Sequence, residues 1–456
     1  MRVQLVQPAV GDGNERLCRS GCFPPLGLLY LARSIAETVP DIEVEVLDGE
    51  VLGQDGLIAR LGADVVGVGP TILTYRNALS IATRAKAMRA QVVFGGHHAT
   101  ALASKVLTNR HEIDFVVRYD GEATFANLLC GRSAYSLPNI AWRSADTVVF
   151  SQAREADVRT TRAPRRDCIE PAPYWRNWRN QHPTSPFTRP ASICSQKGCP
   201  WKVSTGGCIL CGRTAREWRV RPPSDVWNEV TGLVHDYGTD FIWDTSDSIL
   251  SSRQWFETFV RAKPRNIDPA FLFFARVDEI DATTVRHLAR VNAYEVFLGI
   301  ESGDSRILKQ ARKGTTVRQN LAAARSLASA GIRVFPSLVL GLPGECRESL
   351  LNSLLLVREL LALGNVDALS VSVLMPLPGS PALDLILSVP ELAAKYGNAD
   401  DFELESLQRD WVKHFCAASF DELLQMREEM FVGVPTRSGH CTKSPTFSAS
   451  RSVDVA

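Results

Sequence analysis

The order of hydrophobic and polar residues along the first 130 positions alternates between two periods. Short apolar runs with strand character are separated by longer segments in which apolar residues recur every three or four positions, as in amphipathic helices. The predicted strands cover residues 2–7, 42–47, 64–68, 91–94 and 114–117, and the predicted helices cover residues 25–38 and 76–88. This alternation predicts a doubly wound, Rossmann-like α/β domain, whose ligands bind beyond the carboxyl ends of the parallel strands.

A second run of strand–helix alternation begins near residue 189. Its six predicted strands cover residues 191–194, 241–244, 270–275, 295–300, 334–340 and 368–374. Six βα units predict a partial (βα)6 TIM-like barrel, whose functional groups lie at the carboxyl ends of the strands. The predicted regions are a first domain (1–145), a linker (146–188), the barrel (189–390), a small helical C-terminal region (391–434) and a disordered tail (435–456).

Composition and charge narrow the classes of function. The 456 residues include 51 Lys and Arg against 50 Asp and Glu, a formal net charge of +1. The basic surface of a general nucleic-acid scaffold is therefore not expected. No apolar run approaches the roughly 18 residues of a membrane span, and the first residues have the pattern of a strand rather than of a signal peptide. We expect a cytoplasmic protein with no nucleic-acid partner and no membrane span.

Cysteine is the unusual feature of the composition. An odd number of cysteines, 11, in a long chain without a secretion signal favours metal or redox chemistry over disulfides. Four of them lie close together, at Cys194, Cys199, Cys208 and Cys211. Four thiolates suit a structural zinc ion, whereas three suit a [4Fe–4S] cluster that leaves one iron free to bind a substrate. The spacing alone allows both.

The surrounding residues favour the iron–sulfur alternative. Residues 195–200 (Ser-Gln-Lys-Gly-Cys-Pro) and 208–211 (Cys-Ile-Leu-Cys) resemble the cluster-binding segment of the radical S-adenosylmethionine (SAM) superfamily, in the subgroup with an N-terminal cobalamin-binding domain. The resemblance implies a [4Fe–4S] cluster held by Cys199, Cys208 and Cys211. Eight residues separate the first two of these cysteines, where three are usual in the family. The gap is either a loop insertion or a sign that Cys194 is the first ligand.

Later segments extend the resemblance along the barrel. Residues 274–278, 299–303, 339–345 and 376–381 resemble the ends of strands three to six in this subgroup. The resemblance implies that SAM contacts Arg276, Glu301, Ser302, Gly341 and Pro343. Glycines at strand ends let the backbone approach a nucleotide, and the polar side chains can pair with the hydroxyl, ammonium and carboxylate groups of SAM. Each segment alone would be an ordinary turn, and their order carries the resemblance.

The first domain resembles the cobalamin-binding half of this subgroup. Residues 24–31, 64–70, 95–100 and 120–125 carry the resemblance, and they imply cobalamin contacts from Gly67, Gly95, Gly96, His98 and Glu122. Histidine-ligated cobalamin domains place a histidine in the loop after the first strand. This chain has no histidine before His97, so we expect cobalamin to bind without a lower ligand from that loop. The alternative is a domain that packs without a cofactor.

The resemblance implies an enzyme. Its reduced cluster would cleave SAM to a 5′-deoxyadenosyl radical, which takes hydrogen from an unactivated carbon, and methylcobalamin would supply a methyl group. We expect a C-methyltransferase for a small metabolite, lipid or natural-product precursor, with an electron donor such as flavodoxin or ferredoxin. One alternative is a radical SAM enzyme that catalyses cyclisation, rearrangement or oxidation without methyl transfer. Another is a non-catalytic zinc or iron–sulfur binding protein.

Overall fold

The computed structural model describes residues 1–10 and 21–434. Cys18, Cys441 and the predicted tail, residues 435–456, lie outside the described residues.

The first domain is built on a seven-stranded sheet. Its elements are β1 (Arg2–Gln7), α1 (Leu26–Thr38), β2 (Glu43–Asp48), α2 (Gly49–Leu52), α3 (Gln54–Arg60), β3 (Val65–Val68), α4 (Tyr75–Ala87), β4 (Gln91–Phe94), α5 (Gly96–Asn109), β5 (Phe115–Val117), α6 (Glu122–Leu129), β6 (Ile140–Ser144) and β7 (Thr147–Phe150). The strand order is β2-β1-β3-β4-β5-β6-β7, and the first five strands are parallel. The order reverses between β1 and β3, which is where ligands of doubly wound sheets bind.

Two strands at the edge of this sheet differ from the sequence-based expectation. Strand β6 pairs antiparallel with β5, and β7 pairs antiparallel with β6. Residues 140–142 are buried in β6, whereas no residue of β7 is buried, as expected for an edge strand. The predicted doubly wound class is confirmed, with this hairpin added to its parallel strands.

The region predicted as a linker, residues 146–188, contains ordered structure. Strand β7 lies at its start, and helix α7 (Ala172–Gln181) follows. The Tyr174 hydroxyl donates to Asp48 Oδ2 at 2.9 Å, and the Trp178 ring packs 5.3 Å from that of Phe241. Helix α7 therefore contacts both the first domain and the barrel.

The second sheet is an open half-barrel. Its elements are β8 (Pro190–Ile193), β9 (Gln196–Lys197), α8 (Pro200–Thr205), β10 (Arg219–Val220), α9 (Pro223–Tyr237), β11 (Phe241–Asp244), α10 (Arg253–Arg261), β12 (Ala270–Arg276), α11 (Ala282–Arg290), β13 (Ala293–Glu301), α12 (Ser305–Gln310), α13 (Val317–Ser329), β14 (Arg333–Leu340), α14 (Arg347–Leu361) and β15 (Ser370–Val373). Six parallel strands are ordered β8-β11-β12-β13-β14-β15. This confirms the predicted partial (βα)6 barrel.

Four helices complete the described chain: α15 (Pro381–Ser388), α16 (Pro390–Tyr396), α17 (Leu404–Phe415) and α18 (Phe420–Phe431). Helix α17 caps the last two barrel strands. The buried Trp411 indole donates to the Gly341 carbonyl oxygen at 2.7 Å, and the Gln408 amide donates to the Val373 carbonyl oxygen at 3.0 Å. These bonds satisfy carbonyl groups that the half-barrel would otherwise leave unpaired at its edge.

The main hydrophobic core is continuous across these parts. One cluster of buried side chains includes Tyr75 and Phe94 of the first domain, Phe271 of the barrel and Trp411 of the C-terminal region. A second cluster fills the other face of the first sheet, under α1 and α6. None of the helices in residues 1–10 and 21–434 has the length and apolar composition that a membrane span requires.

Candidate active site

The cysteines of the predicted cluster site lie in a loop that a short ribbon closes at its base. Strands β9 and β10 pair antiparallel, with Lys197 opposite Arg219. We call the residues between them, 198–218, the cysteine loop. The loop follows β8, so it leaves the barrel at the carboxyl end of the first strand, where ligands of such barrels bind. It carries Cys199, Cys208 and Cys211.

The unusual interval between Cys199 and Cys208 contains a helix. Helix α8 begins with Pro200 in its first turn and ends at Gly206, whose φ of 84° is left-handed. Proline at the start and left-handed glycine at the end are the residues that favour these boundaries. The longer spacing therefore corresponds to an ordered helical turn.

Trp201 attaches this helix to the barrel. Its indole Nε1 donates to the Arg312 carbonyl oxygen at 2.9 Å, and the Arg276 guanidinium lies 4.5 Å from the centre of its ring. A Cβ atom on Gly314 would lie 2.2 Å from the ring, so only glycine permits this approach. The cation–π contact links the cysteine loop to Arg276, one of the predicted SAM contacts.

The other two cysteines lie in one turn that is bonded to two barrel loops. The Cys211 N–H donates to the Cys208 carbonyl oxygen at 3.1 Å. Between them, the Ile209 N–H donates to the Ala311 carbonyl oxygen, and the Ile209 carbonyl oxygen accepts from the Ala382 N–H, both at 3.0 Å. The turn is therefore held between the end of α12 and the first turn of α15.

The electrostatic surroundings of the thiols fit an anionic cluster. Burial raises the pKa of the Cys199 and Cys208 thiols, and the Arg276 guanidinium opposes that rise at both. The Lys313 ammonium also opposes it at Cys208. Iron binds thiolates, and the cations beside Cys199 and Cys208 favour the thiolate form that coordinates the metal. These residues fit a [4Fe–4S] cluster.

Cys194, the rival first ligand, lies outside the cysteine loop. It directly follows β8, its thiol donates to the Gln196 carbonyl oxygen at 3.2 Å, and its own carbonyl oxygen accepts from Arg221 at 3.0 Å. Burial raises the pKa of this thiol to about 11, so it stays protonated at neutral pH. The assignment of Cys199 as first ligand stays a prediction, and these contacts favour it.

The arrangement differs from a single-ion site. Within the described ranges, no group of three or more His, Cys, Asp or Glu side chains converges on the position of one metal ion. Structural zinc needs four ligands around one ion. The cysteines of a [4Fe–4S] cluster bind different irons, so their sulfur atoms stand further apart.

Opposite charges meet beside the cysteines at the end of β13. The Lys313 ammonium lies 2.7 Å from Glu301 Oε1 in a buried ion pair, and Arg276 Nη2 donates to the Lys313 carbonyl oxygen at 2.8 Å. Glu301 has a left-handed φ of 63°, which is rare and strained outside glycine. The amino-acid part of SAM carries an ammonium and a carboxylate, and charges of both signs at a strained strand end fit it.

Ser302 is bonded inside the protein. Its fully buried hydroxyl lies 3.3 Å from Ser353 Oγ and accepts from the Asp304 N–H at 3.1 Å. In this structure it stabilises the turn after β13, and its contact with SAM stays a prediction.

The turn after β14 contains a buried carboxyl group. Oε2 of Glu345 accepts from the Gly341 and Leu342 N–H groups, and Gly341 has a left-handed φ of 78°. Burial raises the pKa of Glu345 to about 8, and its Oε1 is buried without a hydrogen-bond partner among the described residues. Pro343 lies half-buried in the same turn. The predicted SAM contacts Gly341 and Pro343 are thus shaped by Glu345.

The predicted cobalamin contacts from glycine divide into two groups. Gly95 and Gly96 lie at the carboxyl end of β4, where a Cβ atom on Gly96 would meet nothing closer than the Pro70 carbonyl oxygen at 3.7 Å. This open backbone at the switch-point edge fits a flat macrocycle. Gly67 lies inside β3, where a Cβ atom would lie 3.1 Å from Leu5 and Phe125. Gly67 permits this close packing, and its contact with cobalamin stays a prediction.

The two neighbouring histidines have different surroundings. His98 is buried, its ring lies 4.3 Å from that of Tyr75, and its Nε2 is 3.1 Å from the Asp400 carbonyl oxygen. Burial lowers the pKa of His98 to about 4, so the ring is neutral. His97 faces the cysteine loop, and its Nδ1 is 2.8 Å from Thr214 Oγ1. We call the residues that follow β4 and β5, 95–98 and 118–122, the corrinoid edge, because they include the predicted cobalamin contacts. The corrinoid edge and the cysteine loop are therefore in contact.

Glu122 also lies where the first domain meets the cysteine loop and its basal ribbon. Its Oε1 is 2.9 Å from the Lys197 ammonium, and its Oε2 is buried without a partner in the part of the chain that the structure describes. A free carboxylate oxygen fits an amide N–H on the corrin periphery. Asp120 binds Lys197 at 3.0 Å and also Arg219. Although burial opposes it, these two cations lower the pKa of Asp120 to about 2.

A row of aromatic rings crosses the inner face of the half-barrel, which the sequence analysis missed. Trp243, Phe274, Phe297 and Phe335 lie on successive strands, with centroid distances of 5.8, 4.7 and 5.0 Å between neighbours. Phe274 and Phe297 lie in register. The first three are partly exposed, so they present an apolar inner surface. Their alternation with the outward-facing Phe271 and Phe273 was the available signal.

A cavity of about 540 Å³ lies between α1, residues 159–167 and α9. Its wall includes Arg33, Arg166, Arg221 and Glu229, and the two arginines Arg166 and Arg221 both bind Glu229. None of the predicted site residues lines this cavity.

Comparison with protein families identifies two regions of the chain. Residues 16–129 match the B12 binding domain, and residues 193–357 match the radical SAM superfamily. Together the two matches span more than half of the chain.

Two curated relatives cover most of the chain. An uncharacterized methyltransferase of Pyrococcus horikoshii is 25% identical over 399 residues, which are 83% of this chain and 82% of the relative. An anaerobic magnesium-protoporphyrin IX monomethyl ester cyclase of Cereibacter sphaeroides is 27% identical over 375 residues, 77% of this chain and 58% of the cyclase.

The fold agrees with these matches. The structure of the radical SAM methyltransferase TsrM from Kitasatospora setae, with cobalamin and a [4Fe–4S] cluster bound, superposes with a TM-score of 0.66 at 19% identity, covering 85% of this chain and 78% of TsrM. An enzyme with both matched domains uses a [4Fe–4S] cluster, SAM and cobalamin. The chain belongs to the radical SAM superfamily, in the subgroup that carries an N-terminal cobalamin-binding domain.

Proposed function

We propose that this cobalamin-dependent radical SAM enzyme is a C-methyltransferase that modifies an unactivated carbon of a small metabolite, lipid or natural-product precursor. The observation that carries the proposal is the direct contact between the corrinoid edge and the cysteine loop, where His97 Nδ1 lies 2.8 Å from Thr214 Oγ1. Methyl transfer to a carbon radical needs the methyl donor and the radical source to face one substrate. The relative of Pyrococcus horikoshii, named as a methyltransferase, supports the same reaction.

We assign the site residues as follows. Cys199, Cys208 and Cys211 hold the cluster, while Cys194 stays a protonated thiol in the barrel wall. Arg276, with the Glu301–Lys313 pair, receives the charged end of SAM, and the turn at Gly341 and Pro343 shapes the pocket for its nucleoside. Gly95, Gly96 and Glu122 hold the corrinoid. When bound, the cluster and SAM supply a carbon-centred radical, and cobalamin supplies a transferable methyl group.

The chain itself contributes orientation and exclusion of water. The strained Glu301 and the Lys313 ion pair are buried, so their charges act in a low-dielectric environment without reorganising when SAM binds. The aromatic row on the inner barrel face supplies an apolar surface that protects a reactive carbon from solvent. Reduction of the cluster requires a one-electron donor, for which we propose a flavodoxin or a ferredoxin.

The test follows the methyl group. Protein reconstituted anaerobically with iron, sulfide and hydroxocobalamin is reduced and incubated with SAM labelled in its methyl group. We expect labelled methylcobalamin and S-adenosylhomocysteine to form even without the substrate. Label found only in methionine, with 5′-deoxyadenosine as the other product, would contradict methyl transfer.

A second candidate is cyclisation or oxidation without methyl transfer. The relative named as an anaerobic cyclase, which matches 77% of this chain, favours it. The same labelled-methyl assay separates the two reactions. Methyl transfer moves the label from SAM to another molecule, whereas a reaction without methyl transfer leaves the label in SAM or methionine.

A further inference from the structure

Lys197 lies where the first domain meets the base of the cysteine loop. It is the last residue of β9, two positions before Cys199. Its ammonium is 3.0 Å from Asp120 Oδ1 and 2.9 Å from Glu122 Oε1, and both carboxylates belong to the segment that follows β5. One lysine of the barrel is therefore held by two carboxylates of the corrinoid domain.

The opposite strand of the ribbon makes the same kind of contact. Arg219 of β10 pairs with Lys197 in register, binds Asp120, and lies 2.7 Å from Glu155 Oε2. Residues 198–218 form a closed loop above this ribbon. Both cations at the base of the loop are thus bound by the first domain, and the loop cannot move relative to that domain without breaking several ion pairs.

The contacts of Arg219 are sheltered from solvent. The side chains of Asp120, Glu155 and Arg219 expose 9%, 7% and 11% of their surface, whereas those of Lys197 and Glu122 expose 28% and 24%. Ion pairs at such positions are screened little by salt, and removing one partner leaves an uncompensated charge in a low-dielectric environment. We expect these pairs to fix the position of the loop rather than to act as exchangeable surface contacts.

Glu122 connects these ion pairs to the predicted cobalamin site. Its Oε1 binds Lys197, while its Oε2 is buried and has no partner within the described residues. One carboxylate group thus binds Lys197 at the base of the cysteine loop through one oxygen and leaves a second oxygen for the predicted cobalamin site. Any ligand that orders the second oxygen also orders the first.

We propose that Lys197 is a positioning residue that, through Glu122 and Asp120, makes cobalamin binding and the stability of the iron–sulfur cluster depend on each other. The proposal rests on the assignment of Cys199 as a cluster ligand, but it does not depend on methyl transfer. Because coupling between two binding sites is reciprocal, it is measurable from either side.

The first experiment measures the affinity of the full-length protein for hydroxocobalamin, with and without a reconstituted cluster. We expect the wild type to bind hydroxocobalamin about tenfold more tightly when the cluster is present, a factor typical of coupling between two binding sites. In Lys197→Met the two affinities should become equal, and Lys197→Arg should restore part of the difference. The matched control is Lys202→Met, which removes a lysine of the cysteine loop whose ammonium donates to the Arg213 carbonyl oxygen.

The second experiment measures the reciprocal effect and covers the case in which Lys197→Met does not take up iron. Iron removal by a chelator is followed in Glu122→Gln and in the wild type, with and without hydroxocobalamin. Cobalamin should slow iron loss about tenfold in the wild type and leave the rate unchanged in the variant. Equal affinities in both forms of the wild type, or undiminished coupling in either variant, would overturn the proposal. Neither readout involves methyl transfer, so failure of the proposed reaction remains a separate result.

Discussion

Burial and neighbouring cations decide the ionisation of individual side chains around the site. Burial raises the pKa of the Cys194 thiol to about 11, although Lys197 and Arg221 oppose the rise. Burial also raises the pKa of the Cys199 and Cys208 thiols, and Arg276 opposes it at both. The Cys194 thiol donates a hydrogen bond inside the protein, whereas we propose that Cys199, Cys208 and Cys211 bind the cluster. On this proposal the same residue type has two roles within an 18-residue segment.

Single replacements of the cysteines test this division. Serine at position 199, 208 or 211 removes one of three thiolates, and we expect each variant to lose most of its cluster iron and its 5′-deoxyadenosine formation. Cys194→Ser keeps a hydrogen-bond donor for the Gln196 carbonyl oxygen and should retain both. Iron and acid-labile sulfide analysis of reconstituted protein distinguishes them. Iron loss in Cys194→Ser, with retention in Cys199→Ser, would show that Cys194 is the ligand.

Glu345 gives the protein a pH-dependent stability. Burial raises its pKa to about 8, against about 4.5 in the unfolded chain, so the folded state holds a proton that the unfolded state releases. The stability that this bound proton contributes is fully present below about pH 4.5. As the pH rises from there to about pH 8, the free energy of unfolding falls by up to about 1.4 kcal/mol per pH unit.

Glu345→Gln removes this dependence and still accepts the two backbone hydrogen bonds through its amide oxygen. Relative to the wild type, the variant should become more stable as the pH rises from 5.5 to 8. Denaturant unfolding of cluster-free protein at both pH values measures the difference. The same difference at both values would mean that the buried carboxyl group ionises normally.

Secondary-structure elements that are short and weak by themselves are held by neighbouring loops. The β9–β10 ribbon has two residues in each strand, and α8 has six residues, too few for independent stability. Trp201 packs against Gly314 and so attaches α8 to the barrel. The backbone of Ile209 is hydrogen-bonded to Ala311 and Ala382, which belong to two other parts of the barrel. The cysteine loop is therefore ordered by the barrel rather than by its own propensity.

Gly314→Ala tests the attachment of α8. Gly314 has a φ of 74°, and a Cβ atom there would lie 2.2 Å from the Trp201 ring. Gly331, with a φ of 72°, has nothing within 4 Å of its Cβ position and is the matched control. Gly331→Ala should lower the free energy of unfolding by about 1 kcal/mol, because alanine disfavours the left-handed backbone conformation.

Gly314→Ala should cost more, because it also displaces Trp201, and it should lower the iron content of the reconstituted protein. Melting temperature and iron content are the measurements. Equal melting temperatures and equal iron content in the two variants would contradict the role of the Trp201 contact.

The assembled chain holds its corrinoid domain at two places. On the cysteine side, Lys197 and Arg219 bind the segment after β5. On the opposite side, Asp400 of the C-terminal region accepts from the Tyr75 hydroxyl at 2.6 Å and from Arg110 at 2.6 Å. Together with the shared hydrophobic core, these contacts join the first domain to both the barrel and the C-terminal region.

Asp400→Ala should separate the C-terminal region from the corrinoid domain. Asp400 is almost fully buried, so its removal leaves Tyr75 and Arg110 without their acceptor, at a cost of about 3 kcal/mol. Asp401→Ala is the control, because Asp401 forms one exposed ion pair with Arg76 and should cost less than about 1 kcal/mol. Thermal melting and limited proteolysis of the C-terminal region compare the variants. Indistinguishable results would contradict this attachment.

Local patterns were sufficient to predict most of the architecture. Both α/β units, the order of their strands along the chain and the cysteine-bearing segment follow from hydrophobic periodicity and short motifs, because these depend on residues a few positions apart. Strand β4 coincides with its prediction, and the six barrel strands differ from theirs by at most two residues at either end. The antiparallel β6 and β7 were missed, because short edge strands carry little periodic signal.

The partners of the charged and aromatic side chains were decided only by the folded chain. Glu122 meets Lys197 across 75 positions, His98 meets Asp400 across 302, and Trp201 meets Arg276 through a helix that replaces the usual cysteine spacing. No local pattern encodes such pairings, because they depend on how the first domain, the barrel and the C-terminal region pack against one another. Whether a carboxylate such as Glu122 binds a cofactor, a lysine or both is therefore a property of the domain interface, where burial makes a change of partner energetically costly.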